Sequence, residues 1–467
     1  MKTITRLIVM ILCIGLAACA APRLNPPLET YDYRHGYRFG NCSTRDNPDE
    51  LFIALTFSGG GTRAAAFSYG VLKGLQETKV VHNGAQIRLL DEVDLISSVS
   101  GGSFTAAYYG LYGEQIFIDF EARFLKHNVQ GDLAVRTFAY PWNWFRLLSP
   151  NFSRIDIASD YYDEKLFSHQ TYAGLAQDCR RPFIVINATD LSLGARFEFS
   201  QGQFDLLQSD LAGVSVGRAV ASSSAFPGLL TPLTMRNYEK TVFVEPAWVG
   251  RVIQFDRDIS PRRYKHAQEV RSYFDGAHRP YVHLVDGGVS DNIGLRGIIY
   301  SLMYPDVLIS GDQSNVTDSR EFNLQRMIAD HKIKKLLVIV VDAKPGEDVH
   351  LDQSPRTPGL VPVINAVASA PMANYSFETV QLLREYLKQR RHELRKAPEP
   401  FELKTYVIHL RFDLIADPAV REKIKGLGTN FHLSEEAVEL LIEQGKQLLR
   451  DSNIFQNKFL KDLSSQQ

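Results

Sequence analysis

The sequence has little of what would settle its class at once. Four cysteines in 467 residues, Cys13, Cys19, Cys42 and Cys179, exclude a disulfide scaffold. No Cys-x-x-Cys occurs, and the 12 histidines include no His-Glu-x-x-His, so no metal site is read from the chain. Charge of one sign is not in excess: 52 basic against 53 acidic side chains leave −1, no electrostatic basis for binding nucleic acid. No apolar run approaches the roughly twenty residues of a membrane-spanning helix. Internal repeats and low-complexity tracts are missing too. What is present is a 45% hydrophobic share, enough for a sizeable core. The length would allow two or three domains, but the motifs below span residues 57 to 288 and argue for one large domain.

The N-terminus reads as an address. Lys2 and Arg6 precede a short apolar core, Leu7 to Leu16, too short to cross a bilayer as a helix. Leu16-Ala17-Ala18-Cys19 follows and looks like a bacterial lipobox, in which Cys19 is diacylated and becomes the first residue. An ordinary secretory signal is the alternative. Residues 1–18 are then a signal peptide, and their removal takes Lys2 and Arg6 and no acid, moving the net charge from −1 to −3. Ala20, not Asp, follows Cys19, which in a Gram-negative cell permits sorting to the outer membrane, facing the periplasm. An acyl anchor needs no transmembrane helix. Residues 19–48, with Pro22, Pro26 and Pro27, read as a polar tether. Cys42 and Cys179 can pair in an oxidising compartment or stay as two separate thiols, and their spacing leaves both open.

Three motifs carry chemistry. Leu51 to Phe57 reads as a buried strand, followed by Ser58-Gly59-Gly60-Gly61-Thr62-Arg63 and a helix. Three glycines let the backbone approach a ligand and leave N–H groups aimed at one spot, which suits an oxyanion or a phosphate. Gly59, Gly61 and Ala64 satisfy G-x-G-x-x-A, but the dinucleotide reading wants an acid at the end of the next strand, where Ser100 stands. No Gly-Lys-Ser/Thr follows, so a P-loop fails as well. The second motif, Ser98-Val99-Ser100-Gly101-Gly102, lies between an apolar strand and a helix and has the form of a nucleophile elbow, with Ser98 where the usual pattern has glycine. The third, Asp286-Gly287-Gly288, ends the strand Tyr281 to Val285. All three sit at strand carboxyl ends, where open α/β sheets place their sites.

On these motifs the chain resembles the patatin-like phospholipases, lipid acyl hydrolases with a Ser–Asp dyad. Asn187-Ala188-Thr189-Asp190 and Val220 to Pro227 look similar to further segments of that family. The resemblance covers residues 50 to 300 and thins beyond, where Thr429 to Leu433 and the next helix are candidates for the same domain. It implies a three-layer α/β/α fold, a mostly parallel sheet with helices on both faces. The organisation is then a hydrolase domain over 49–467, with a core at 50–300 and a C-terminal extension at 301–467. It implies Ser100 as nucleophile, Asp286 as base, and oxyanion or binding roles for Gly59, Gly60, Gly61, Arg63 and Gly101, with Arg63 fixing the loop. No cofactor is implied, and the partners are a phospholipid or other acyl ester and the membrane that holds the anchor. Phospholipase A and lysophospholipase chemistry both fit. An aspartate titrating near 3.9 is a poor base at neutral pH unless burial raises it.

Two alternatives stand beside this reading. One is an ordinary Ser-His-Asp esterase, since His331, His350, His392, His409 and His432 follow Asp286. The other is a non-catalytic envelope scaffold.

Among the remaining segments, Tyr140 to Leu148 holds two of the three tryptophans and suits a lipid interface or a lid, with core packing the simpler expectation. Lys334 to Asp342 reads as a doubly buried strand and Thr405 to Leu410 as an edge strand. Residues 344–362 read as an exposed loop, 374–396 as a helix, and Ser434 as the N-cap of a final helix. A lipidated Cys19 predicts that a metabolically supplied fatty acid labels the wild type and not Cys19→Ser; equal label in both contradicts the lipobox.

Overall fold

A computed structural model of the protein describes residues 23–42, 50–82, 85–177, 179–226, 229–239, 242–304, 322–345, 352, 355–357 and 359–464. The signal segment, Cys19 and His350 lie outside the described residues. The strands are β1 (Leu51–Phe57), β2 (Lys79–His82), β3 (Ala85–Arg88), β4 (Val93–Val99), β5 (Phe183–Asp190), β6 (Ala195–Glu198), β7 (Leu233–Arg236), β8 (Tyr281–Asp286), β9 (Lys335–Asp342) and β10 (Lys404–Arg411). One sheet runs β10-β9-β1-β4-β5-β8-β7, with β6 also paired to β5, while β2 and β3 form a separate hairpin.

The five strands from β10 to β5 are parallel. β1, β4, β5 and β9 are buried at every residue, as expected of strands covered on both faces. Side chains alternate along β1. Phe57 faces Gly102 of the helix Gly101–Tyr112, where an added Cβ would sit 2.7 Å from the Phe57 Cβ. Phe52, on the other face, meets Phe39 and Phe322 at ring-centre distances of 6.1 and 5.8 Å.

β8 departs from the parallel scheme. It runs antiparallel to β5, pairing Asp286 with Ala188 and Leu284 with Asp190. The end of β8 therefore comes from the opposite direction and stops level with the place where β4 ends, since Val99 pairs with Asn187. The three motifs converge at the carboxyl edge of the parallel strands as expected, but Asp286 reaches it on an antiparallel strand that enters from beyond that edge and not on a strand running with the others.

The chain beyond residue 300 is built into the same sheet and core. β9 pairs with β1 over its full length, and β10 forms the edge. The helix Glu435–Asp451, capped by Ser434 as expected, packs against the helix Gly61–Glu77 through glycines. A Cβ on Gly70 would lie 2.2 Å from the Ile442 carbonyl oxygen, and one on Gly445 2.5 Å from that of Phe67.

Three expectations need correction. The described part of the tether, 23–42, is docked. Asn25, Tyr37, Arg38 and Phe39 are buried, Arg38 pairs with Asp205 at 2.6 Å, and Cys42 is disulfide-bonded to Cys179. Its aromatic and paired side chains outweigh its prolines. The helix expected from residue 374 spans Leu360–Lys396, taking in the last residues of the expected loop. Pro362 falls in its first turn, where a missing N–H costs nothing, and Pro371 lies in its interior. The aromatic segment is not core: Trp142 is 64% and Trp144 53% exposed. Among the described residues no helix is long and apolar enough to cross a membrane.

The close helix pair predicts that Gly70→Val lowers stability by about 1–3 kcal/mol or more, because a side chain there must push the helix Glu435–Asp451 away. Urea unfolding reads this directly; an unchanged midpoint contradicts the packing.

Candidate active site

β4 delivers Ser100 at its end with φ +49° and ψ −120°, a backbone that non-glycine residues adopt only under constraint. The constraint is visible in the neighbours. A Cβ on Gly101 would lie 2.0 Å from the Gly61 carbonyl oxygen, so only glycine lets the helix start there. Ser98, the departure from the elbow pattern, is fully buried and its hydroxyl donates to the Val185 carbonyl at 3.1 Å. The turn has room for that side chain, and the departure does not disturb it.

The Ser100 hydroxyl donates to Asp286 Oδ2 at 2.7 Å, and Asp286 Oδ1 accepts the Gly288 N–H at 2.7 Å. Both residues are nearly enclosed, at 6% and 5% exposure. Burial pushes the Asp286 carboxyl up to about 6, against the pull of the Gly288 and Ser100 bonds. The difficulty of an aspartate base is thereby largely removed. No histidine is a hydrogen-bond partner of Ser100 or Asp286 among the described residues; His409, for example, contacts Asp342 at 3.1 Å.

The glycine loop lies against the same serine. Gly60 has φ +140° and Gly61 φ +60°, conformations that side chains resist. A Cβ on Gly59 would meet Asn292 Oδ1 at 2.6 Å and the Ser100 Cβ at 3.3 Å. The Gly59 N–H donates to the Asn292 carbonyl at 2.9 Å, so it is committed to the protein and not free for an oxyanion. The N–H groups of Gly60, Gly61 and Gly101 donate to no protein acceptor among the described residues. Arg63 is buried behind the loop. It donates to the Ala343 carbonyl at 3.0 Å, to Thr429 Oγ1 at 3.0 Å and to the Leu427 carbonyl, and burial lowers its pKa to about 10. It holds the loop to β9 and to the segment 427–429. The Thr62 N–H, bonded to the Asn430 carbonyl at 2.9 Å, adds to that support.

Residues without an assigned role in the sequence join the two halves. Ser223 Oγ accepts the Ser100 N–H at 2.8 Å, lies 3.0 Å from Ser103 Oγ and donates to the Asn187 carbonyl at 2.6 Å. The Ser223 carbonyl accepts the Gly287 N–H at 3.1 Å, and Ala225 accepts that of Asp286 at 3.0 Å. Asn187 Nδ2 donates to Ser97 Oγ and to the Ser98 carbonyl, both at 3.0 Å. Thr189 Oγ1 donates to the Asp286 carbonyl at 2.9 Å. The signal was present as the two family-like segments at 187–190 and 220–227, but a serine within a serine run carries no role by itself.

A serine on a strained strand-to-helix turn, a buried carboxylate on its hydroxyl and uncommitted N–H groups beside it have the form of an acyl-transfer site. The chain matches the family model described as Patatin-like phospholipase over residues 55–299, more than half its length, and belongs to that family. Among solved structures it is similar to human GIVD cytosolic phospholipase A2, with a TM-score of 0.46 and 14% identity, covering 91% of this chain and 64% of that one. For the same enzyme in complex with methyl gamma-linolenyl fluorophosphonate the values are 0.40, 13%, 91% and 60%. The chain thus spans less than two thirds of that enzyme's length. A comparison with curated proteins gives no match.

The raised Asp286 pKa has a stability consequence. An acid whose folded pKa is raised stabilises through its neutral form; that contribution is whole below 3.8 and lost as pH rises through about 6. Asp286→Asn stays neutral throughout. Its stability relative to wild type should improve by about 2–3 kcal/mol between about pH 4 and pH 8, as read from urea midpoints. A difference independent of pH contradicts the buried-carboxylate account.

Proposed function

We propose that the protein is a lipid acyl hydrolase of phospholipase A or lysophospholipase type that works through a Ser100–Asp286 dyad. The observation that carries this reading is the 2.7 Å bond from the Ser100 hydroxyl to a carboxyl group whose pKa is pushed up to about 6. At neutral pH that carboxyl is ionised and still basic enough to accept a proton in the transition state. Asp286 Oδ2 takes the Ser100 proton as Oγ attacks the ester carbonyl. The carbonyl oxygen becomes an oxyanion facing the N–H groups of Gly60, Gly61 and Gly101. Collapse breaks the ester C–O bond, and the departing alcohol leaves with the proton from Asp286. Water then attacks the acyl-serine, Asp286 again accepting a proton and returning it to Ser100 as the fatty acid departs.

The buried dyad suits a substrate that brings its ester out of water, which a lipid does. A lipid anchor at Cys19 on the outer membrane, facing the periplasm, would keep the enzyme at its substrate, and the Cys42–Cys179 disulfide suits an oxidising compartment.

Ser100→Ala and Asp286→Asn should each lower ester hydrolysis by about 10⁴-fold or more while folding is retained. Gly60→Val, which forces a side chain into φ +140° beside Arg63, should cost at least about a hundredfold. Turnover of mixed phospholipids and short acyl esters by the purified chain decides the matter: full activity in either dyad variant refutes the assignment.

A further inference from the structure

Between Arg136 and Arg154 the only charged side chain is Arg146, and this stretch carries an exposed aromatic cluster on and around the helix Pro141–Leu147. Phe138 is 72%, Trp142 64%, Trp144 53% and Leu148 77% exposed, with Tyr140 and Phe145 beside them. The polar end of Trp144 is already used, since its Nε1–H donates to the Phe138 carbonyl at 3.0 Å. Its exposed ring therefore offers water nothing but hydrocarbon. A contiguous apolar patch of this kind marks a contact surface. Tryptophan and tyrosine among aliphatic residues favour the boundary between headgroups and acyl chains.

The neighbouring chain identifies the occupant. Arg23, the first described residue of the N-terminal arm, pairs with Asp160 and stacks over the Phe152 ring at 5.7 Å. Arg146, on the aromatic helix itself, uses the same two partners, lying 3.8 Å over the Phe152 ring and 3.4 Å from Asp160. The Arg23 carbonyl accepts a further bond from Arg218 at 2.5 Å. The arm is thus fixed to the base of the aromatic helix, and Cys19 is four residues before Arg23. Four residues span at most about 14 Å. Any acyl anchor on Cys19 is therefore attached to the backbone within that reach of Arg23.

We propose that the helix Pro141–Leu147 and the flanking Phe138, Tyr140 and Leu148 form a lipid-interface platform. It rests in the bilayer that holds the acyl chains of Cys19. The proposal rests on the lipid-anchor reading. The anchor and the platform make two attachments close together, so the body is held against the membrane and not swung on a tether. An amphipathic element of this kind lies within about 5–10 Å of the headgroup–acyl boundary.

The tryptophans provide the test. Trp248 is buried, so the full lipidated chain carrying Trp248→Phe emits from Trp142 and Trp144 alone. It is reconstituted into vesicles of ether-linked phosphatidylethanolamine and phosphatidylglycerol, which offer no ester, doped with an ether lipid brominated near the top of its chains. Bromine should quench this emission at least about twofold. The Trp142→Phe/Trp144→Phe double variant, emitting from Trp248 alone, should be little quenched and serves equally if Trp248→Phe does not fold, by comparison with wild type. Unquenched Trp142 and Trp144 in vesicle-bound chain overturn the platform. A chain that does not stay on the vesicles overturns it too, through the anchor, and leaves the hydrolase reading untouched, because short soluble esters test that separately.

Discussion

One buried hydrogen bond sets the terms for the rest of the site: the Ser100 hydroxyl on the Asp286 carboxylate, enclosed at the ends of β4 and β8. A carboxylate taken out of water is costly unless its lone pairs are used. Among the described residues the fold supplies two donors, Ser100 Oγ–H and Gly288 N–H, and places no cation beside it. The group is left under-stabilised, and that is why it is more basic than an ordinary aspartate. A third donor or an arginine would make the pair more stable and the base weaker.

Holding two such groups together demands rigidity from elements far apart in sequence. β4 and β8 run in opposite directions, and β5 lies between them as a ruler, paired to Val99 by Asn187 and to Asp286 by Ala188. Ser223 bonds to the backbone of both halves and ties the elbow to the aspartate turn. The glycine loop is held from the other side, by Arg63 and Thr62 on the segment 427–430. The C-terminal part of the chain therefore reaches the site by bracing the loop, and among the described residues it places no hydrogen-bonding side chain on Ser100 or Asp286. Close approach recurs as the means. Gly101 against Gly61, Gly61 against Asn430 and Gly70 against Ile442 each leave no space for a Cβ.

Local features were the legible ones. The glycine loop, the elbow serine and Asp-Gly-Gly each declare themselves within a few residues, because a sharp turn or an approach to backbone restricts residue type locally. The doubly buried strands β1, β4 and β9 were legible through their unbroken apolar runs. Direction was not. An alternating strand such as β8 looks the same parallel or antiparallel, so Asp286 was placed beside Ser100 for an incomplete reason. The burial of Arg63 and the bridging by Ser223 depend on partners hundreds of residues or a layer away, which no spacing encodes. Prolines misled twice, in the docked arm at 23–42 and at the start of the helix Leu360–Lys396. The aromatic helix misled in the opposite sense, because large rings are usually core and only the fold shows what is left to cover them.

The central claim is that Ser100 is a nucleophile whose reactivity is set by the ionisation of Asp286. A fluorophosphonate probe tests it without any choice of lipid, because it reacts at phosphorus with the activated serine and builds charge on an oxygen in the same pocket. Peptide mapping of the labelled full chain should place the adduct on Ser100, with a labelling rate that rises with pH and is half-maximal near the Asp286 pKa of about 6. No label on Ser100 under conditions that label a control hydrolase, or a labelling rate at Ser100 that is flat from about pH 4 to pH 8, would contradict the account.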